Sequence, residues 1–213
     1  MKFTDDVREA GLLFEEYGYK INALPVKFGK FTNHVFSYDG YLKNFPASNL
    51  NDNCSIILNH YLSGTVSIDV DDYKIVKMLF EDVGINLDQL IENTMSWYGG
   101  DNHCKLIFKK QSQDISLDRT SLHPWIDRES ILTFKGYKLP VPVNHNNLNN
   151  YFDHLPPSWY IPNPKIAYTR RYQFITGLYR YDELPVIPDS IMNVWSNFEH
   201  YNQRFTDLVF RDC

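Results

Sequence analysis

Two aspartates, Asp69 and Asp71, lie two positions apart at the end of an apolar run in the segment SGTVSIDVDDYKIVKMLF (63–80). In a β-strand, residues i and i+2 point to the same face, so both carboxylates can converge on one point. Carboxylates that converge repel each other unless protons or a cation lie between them, and a hard divalent ion such as Mg²⁺ favours this arrangement. The alternative is a pair of solvent-facing residues at a strand end. The tripeptide alone favours that alternative, because D-x-D is common by chance.

A second pair, His103 and Lys105, has the same spacing and follows a glycine turn in SWYGGDNHCKLIFKK (96–110). On one strand face, the histidine can donate a hydrogen bond to a phosphate and the lysine can act as a point charge. Taken alone, a structural histidine and an exposed lysine are the more common roles. A zinc site built from His103 and Cys104 is disfavoured, because adjacent strand residues point to opposite faces.

Three later segments carry further candidate residues. Lys135 precedes a glycine in SILTFKGY (130–137), and two consecutive prolines shape the loop FDHLPPSWYIP (152–162). The segment KIAYTRRYQF (165–174) interleaves cations with aromatic residues, which is a pattern that can track a nucleic-acid backbone. Ordinary loop architecture and a solvated sheet face are the alternatives for these segments.

The elements that must position these residues can be read from hydrophobic spacing. Residues 4–18 predict an amphipathic helix capped by Thr4 or Asp5, and a helix also begins behind Asp72. The runs 54–58 and 65–70 predict two strands joined as a hairpin, and residues 94–110 predict strand, glycine turn and strand. Shorter segments complete the pattern: a helix in NLDQLIEN, a strand in SILTFKGYKLPV, and a closing helix in PDSIMNVWSNFEHYNQRF. This mixture predicts an α+β fold with a mainly antiparallel or mixed sheet.

Composition limits the class of protein. A net charge of -5 argues against a protein that simply coats nucleic acid, although a local basic groove remains compatible with it. The cysteines Cys54, Cys104 and Cys213 are odd in number and widely spaced, which indicates a reducing compartment. No apolar run approaches the roughly 20 residues of a membrane span, and the N-terminus lacks the apolar core of a signal peptide. We therefore expect a cytoplasmic protein, in the host cytoplasm if it is viral.

The order of these segments resembles the archaeo-eukaryotic primase superfamily, especially the primase–polymerase domains of phages and plasmids. The similar pieces run from about residue 5 to 200: the D-V-D strand end, GGDNHCKLIFK, the basic residue before glycine, LPPSW and LPVIP. The resemblance implies an RRM-like catalytic core whose mixed or antiparallel sheet is flanked by helices. It also implies one domain over residues 1–213, which can be the N-terminal part of a longer replication protein.

The resemblance assigns roles to individual residues. Asp69 and Asp71 match the acid pair that binds divalent metal, Mg²⁺ or Mn²⁺. His103 matches the residue that contacts the incoming nucleotide's phosphates, and Lys105 and Lys135 match basic nucleotide-binding positions. Asp69, Asp71 and His103 are thus the expected catalytic residues. Arg170, Arg171 and Tyr172 are the candidates for DNA contact, although a sheet face is the more common role of such a segment.

One position departs from the family's pattern. The family carries an acid two residues before the basic residue that precedes glycine, and this chain has Thr133 there. Threonine cannot supply the charge of a third carboxylate. Asp127, Glu129 or Asp153 can substitute, or the register of the match is shifted. Tyr160 also stands where the Pro-Pro-Ser segment is commonly followed by a histidine.

The resemblance implies a DNA-templated nucleotidyltransferase, a primase or DNA polymerase that adds nucleotides to a 3′-hydroxyl during replication of a mobile element. Its expected partners are a single-stranded DNA template with primer, dNTPs or NTPs, and a helicase domain or protein. A second hypothesis, motivated by Thr133, keeps the fold as a DNA- or nucleotide-binding module without catalysis. A third is a metal-dependent D-x-D glycosyltransferase, which does not require the histidine, lysine and Pro-Pro-Ser motifs.

Overall fold

The computed structural model describes residues 3–27, 30–31, 46–52, 54–100, 102–111, 120–124, 130–136, 152–160 and 170–212. The helices in this part of the chain are α1 (Val7–Glu16), α2 (His60–Ser63), α3 (Tyr73–Asp82), α4 (Leu87–Glu92), α5 (Asp189–Ser196) and α6 (Phe198–Asp212). The first strands are β1 (Ile21–Lys27), β2 (Lys30–Phe31), β3 (Cys54–Asn59), β4 (Thr65–Val70), β5 (Met95–Gly100) and β6 (His103–Lys109). The remaining strands are β7 (Thr120–Leu122), β8 (Leu132–Lys135), β9 (Phe152–His154), β10 (Trp159–Tyr160), β11 (Arg170–Arg171) and β12 (Gln173–Phe174).

The strands form two main sheets. The larger sheet has the strand order β12-β5-β6-β4-β8-β7, and the smaller has the order β2-β1-β3-β9. Strands β10 and β11 form a separate two-stranded ribbon. Every strand pair named here is antiparallel. The α+β class predicted from the sequence is therefore confirmed.

One face of the larger sheet is covered by helices. Residues at alternating positions of β4, Val66, Ile68 and Val70, point into this layer and are fully buried. They pack with buried residues of α3, which begins where Asp72 accepts hydrogen bonds from the backbone amides of the next turn. The capping carboxylate satisfies amides that have no partner within the helix, so the helix starts directly behind the acid pair.

The opposite face of the larger sheet turns toward the smaller sheet and α1. Met95, Trp97 and Ile107 from this face belong to the same buried cluster as Phe14 of α1 and Ile56 of β3. The polar positions of β4 alternate with its apolar ones and therefore lie on this side as well. The space between the sheets thus contains an apolar part and a polar part.

The predicted hairpin between β3 and β4 is wrong. β3 pairs with β1 and β9, whereas β4 pairs with β6 and β8 in the other sheet. The linker forms the short helix α2, in which the side chain of Asn59 caps the first turn and Gly64 ends the helix at φ +65°. This turn redirects the chain from one sheet to the other, which spacing alone does not reveal.

Two helix predictions also need correction. The N-cap of α1 is Asp6, whose side chain accepts from Glu9 N, rather than Thr4 or Asp5. The closing helical segment consists of two helices, α5 and α6, which are separated at Asn197. In the part of the chain that the structure describes, no helix is both long and apolar enough to cross a membrane.

Candidate functional site

The register of three neighbouring strands brings the predicted residues together. Asp69 on β4 lies opposite Lys105 on β6 and opposite Thr133 on β8. Ser67, two positions earlier on β4, lies opposite Lys135. Because i and i+2 positions share a face, Asp69, Lys105 and Lys135 all project to the side that faces the smaller sheet.

Asp69 and the two lysines form part of a cluster of four charges. Both ammonium groups donate to Asp69 Oδ2: Lys135 Nζ at 2.9 Å, and Lys105 Nζ in a shorter contact. Both also donate to Asp153 Oδ1, at 2.8 Å from Lys105 and 2.6 Å from Lys135. Two cations thus lie between two carboxylates, and the cluster is neutral as a unit.

Asp153 belongs to β9 of the smaller sheet and is 1% exposed. Its second oxygen, Oδ2, accepts hydrogen bonds from His60 Nε2 at 3.0 Å and from the Ser67 hydroxyl. The other ring nitrogen of His60, Nδ1, lies 2.9 Å from the Thr65 hydroxyl, so a neutral ring that donates from Nε2 satisfies both contacts. Each oxygen of Asp153 therefore has two donors, which is the full hydrogen-bonding capacity of a carboxylate.

Burial and charge oppose each other in this cluster. Burial would raise the pKa of Asp69 and of Asp153, but the charges of Lys105 and Lys135 outweigh it and hold both below the usual range. Burial would lower the pKa of Lys105, but Asp153 and Asp69 hold it well above its usual value. Burial lowers the pKa of His60 despite its contact with Asp153. The described arrangement thus has two anions, two cations and a neutral histidine.

Asp71 and His103 form the outer rim of the site. His103 Nδ1 lies 3.4 Å from Asp71 Oδ1, and the Ser130 hydroxyl lies 3.3 Å from Asp71 Oδ2. The side chains of Asp71 and His103 are 26% and 35% exposed, against 15% for Asp69. The rim is therefore the part of the site that a solute reaches first.

Thr133, the position at which the resemblance implies an acid, lies opposite Asp69 on β8 and carries no charge. It is 2% exposed, and its hydroxyl lies 3.0 Å from the Ser121 hydroxyl and 3.2 Å from the Ser130 hydroxyl. Of the possible substitutes, Asp153 reaches the cluster, although it is bonded to lysines. Asp127 and Glu129 lie outside the described residues.

The acid pair fits a single divalent cation better than a three-carboxylate centre. Among the described residues, no group of three or more His, Cys, Asp or Glu side chains could hold a metal ion. Mg²⁺ commonly takes only one or two protein carboxylates and completes its shell with water and substrate phosphates. Asp69 and Asp71 provide such a pair, so they would hold the ion predicted from the sequence.

A cavity of about 370 Å³ adjoins the rim. Its walls include His103, Asn102 and two tyrosines, Tyr73 and Tyr98. Tyr98 is 53% exposed. A volume of this order is that of a small-molecule site. The space beside His103 is therefore large enough for part of a nucleotide-sized ligand, and its lining also includes two acids, Asp88 and Glu92.

The Pro-Pro-Ser segment has a structural role next to the site. A cis peptide bond joins Pro156 and Pro157, and the fully buried Ser158 hydroxyl accepts a 2.8 Å hydrogen bond from Ile56 N. Leu155 N donates to Ile56 O at 3.0 Å. These bonds attach the segment after β9 to β3, and so help to hold Asp153 in place.

The candidate DNA-contacting residues lie at the edge of the sheets. Tyr172 is 5% exposed and its ring stacks on His154, with centroids 6.0 Å apart. Arg171 donates from Nη1 to Asp5 O. Arg170 lies in β11, and its side chain is outside the described part. The buried ring of Tyr172 is not exposed for stacking on a base. Contact between DNA and the rest of this segment stays a prediction.

Sequence reasoning missed His60 and Ser67 as members of the cluster. Both lie in the segment that the hairpin prediction covered, His60 in α2 and Ser67 on β4, and both contact Asp153 of the smaller sheet. The alternation of Thr65, Ser67 and Asp69 with apolar residues was a usable signal, because a strand with one polar face near a core requires buried polar partners.

No protein-family model matches the chain, and no curated protein sequence matches it either. The chain is an α+β protein with a cluster of two acidic and two basic side chains between two antiparallel sheets.

Proposed function

We propose that the protein is a divalent-cation-dependent nucleotidyltransferase of the primase–polymerase kind, acting at a 3′-hydroxyl on a DNA template. One observation carries the proposal: an acid pair and three basic residues from three separate segments converge at one end of the larger sheet. The acids are Asp69 and Asp71, and the basic residues are His103, Lys105 and Lys135. This combination suits a metal-bound triphosphate, which has both negative charge and a cation.

Each residue has a distinct task in this proposal. Asp71 and Asp69 would hold Mg²⁺ or Mn²⁺, which when bound reduces the charge that opposes attack and stabilises the pyrophosphate leaving group. His103, at the exposed rim, donates a hydrogen bond to a phosphate oxygen. Lys105 and Lys135 balance the charges of Asp69 and Asp153 behind the rim, where burial makes these attractions stronger than they would be in water.

The cavity beside His103 supports the same proposal. Since His103 belongs both to the rim and to the cavity wall, a ligand with its phosphates at the rim can extend into this space. The proposed partners are a single-stranded DNA template with primer, dNTPs or NTPs, and a helicase domain or protein. We propose the cytoplasm as the location.

A primer-extension assay tests the proposal. Purified protein is incubated with primed or unprimed single-stranded templates, labelled dNTPs or NTPs, and Mg²⁺ or Mn²⁺. We expect extension that is lost in Asp69→Asn and in Asp71→Asn. Asp207→Asn, an exposed acid on α6, is the matched control and should retain activity. Extension that persists in both site variants would refute the proposal, and transfer from a sugar nucleotide instead would indicate the glycosyltransferase alternative.

A second candidate function is a DNA- or nucleotide-binding module without catalysis. The uncharged Thr133 opposite Asp69 favours it, since the expected third acid is missing at that place. This candidate predicts metal-dependent nucleotide binding that Asp69→Asn and Asp71→Asn abolish, with no extension under any condition. Binding and extension measured on the same preparations distinguish the two candidates.

A further inference from the structure

We propose that the site takes one divalent cation rather than two, and that the ammonium groups of Lys105 and Lys135 occupy the place of a second. Asp153 then acts as a positioning residue, which holds the two lysines rather than a metal. This inference deepens the proposed function and rests on it for the identity of the nucleotide ligand. It concerns the number of ions bound, which can be measured without any catalysis.

The bonding of Asp153 is the first argument. Its two oxygens receive four donors: Lys105, Lys135, His60 and Ser67. A metal ligand needs a free lone pair, and this carboxylate has none left. With 1% of its surface exposed, Asp153 is also out of reach of the solvent that delivers a hydrated ion.

The bonding of Asp69 is the second argument. Both lysines donate to the same oxygen, Oδ2. The hydrogen bonds of the described residues thus leave Oδ1 of Asp69 for a ligand, which Asp71, two positions later in the chain, would share. One cation can be held by two carboxylates, because Mg²⁺ commonly takes only one or two protein carboxylates.

Charge is the third argument. Asp69, Asp153, Lys105 and Lys135 together are neutral, and their side chains are at most 15% exposed. A divalent ion placed among them would add two positive charges beside two ammonium groups at hydrogen-bonding range. Such repulsion is strong where water is largely excluded. The lysines therefore compete with a second metal ion instead of assisting it.

Counting bound Mn²⁺ tests the inference. Mn²⁺ is titrated into the full chain without nucleotide, and free Mn²⁺ is followed by electron paramagnetic resonance. A titration of the buffer alone provides the blank. We expect one protein-dependent Mn²⁺ per chain. A stoichiometry of two, or of zero, overturns the inference.

Lysine variants test the competition directly in the absence of nucleotide. Lys135→Met removes one ammonium group and nearly preserves side-chain length, so Asp69 should bind Mn²⁺ on the order of tenfold more tightly than in the wild type. Lys20→Met, at an exposed lysine, should leave the affinity unchanged. Circular dichroism checks that each variant is folded. If Lys135→Met unfolds, the double variant Lys135→Met/Asp153→Asn is measured instead. It removes one charge of each sign and so keeps the cluster neutral. Unchanged or weaker Mn²⁺ binding in the folded variant contradicts the competition.

The two proposals fail in different ways. Loss of primer extension with one Mn²⁺ per chain removes only the proposed catalysis, and the one-cation site stands. Extension with two Mn²⁺ ions per chain keeps the catalysis and removes the one-cation site.

Discussion

Asp69 and Asp153 lie on strands of different sheets, and the same two ammonium groups join their carboxylates. The contact therefore links the larger sheet to the smaller one through charge rather than through apolar packing. A carboxylate predicted to bind metal is at the same time a structural ion-pair partner. Function and stability are consequently coupled at this position.

Removing the charge of Asp153 should destabilise the protein strongly. In Asp153→Asn, two buried ammonium groups share one carboxylate, and such a broken buried pair costs about 3–5 kcal/mol. The free energy of unfolding from urea titration measures this loss. The control Asp182→Asn, whose side chain is 81% exposed, should change little. Equal stability of the two variants would mean that the cluster does not hold the sheets together.

Thr133→Asp should restore an acid opposite Asp69. Without metal we expect a lower melting temperature than in the matched variant Thr133→Asn, because the new charge is buried beside another carboxylate. Adding Mn²⁺ should raise the melting temperature of Thr133→Asp more than that of Thr133→Asn, since a third acid creates a place for a second ion. Identical responses to Mn²⁺ would argue against Thr133 as the missing acidic position.

The free energy of unfolding should fall on the acidic side because of two histidines, the partly buried His154 and the fully buried His60. Burial, with the charges of Lys105 and Lys135, lowers the pKa of His154 from 6.5 to about 3. The unfolded chain thus binds a proton below pH 6.5 that the folded protein does not bind. This stabilising contribution is complete above pH 6.5 and is lost as pH falls toward 3, by up to about 1.4 kcal/mol per unit.

His154→Gln provides the test of this pH dependence. The free energy of unfolding is measured in urea at pH 7.5 and pH 5, and the difference should shrink in the variant. It should not vanish, because burial lowers the pKa of His60 as well. His200→Gln, on the exposed side of α6, should keep the wild-type difference. An unchanged difference in His154→Gln would show that this histidine titrates alike in both states.

His103→Gln should weaken nucleotide binding without unfolding the protein. The side chain is 35% exposed at the rim, so its loss removes a phosphate donor and leaves the core intact. We expect an increase in Kd of about tenfold or more for a metal-bound nucleotide, since one hydrogen bond to a charged group contributes about 1.5–3 kcal/mol. Calorimetric titration measures it, with His200→Gln as the unaffected control. Equal affinities would place the phosphates elsewhere.

Ser158→Ala should reduce stability rather than ligand affinity. The variant leaves Ile56 N without its 2.8 Å partner in a fully buried position, which costs about 1–3 kcal/mol. Urea unfolding should register the loss while the nucleotide Kd stays within about twofold, because the contact lies behind the cluster. Ser190→Ala, at an exposed site, is the control. A large change in Kd at wild-type stability would assign the Pro-Pro-Ser segment to binding.

Local patterns in the sequence determined the α+β class, most element positions and the shared face of Asp69, Asp71, His103 and Lys105. These follow from strand periodicity and helix capping, which depend on neighbouring residues only. The tertiary structure decided that β3 and β4 belong to different sheets and that Lys135 lies beside Asp69. It also decided that Asp153 reaches both lysines from β9. These contacts join residues 18 to 66 positions apart in the chain, since Lys135 and Asp153 are the nearest contacting pair and Asp69 and Lys135 the most distant. No local spacing specifies such contacts, because the pairing of distant strands is set by how the whole chain buries its apolar faces.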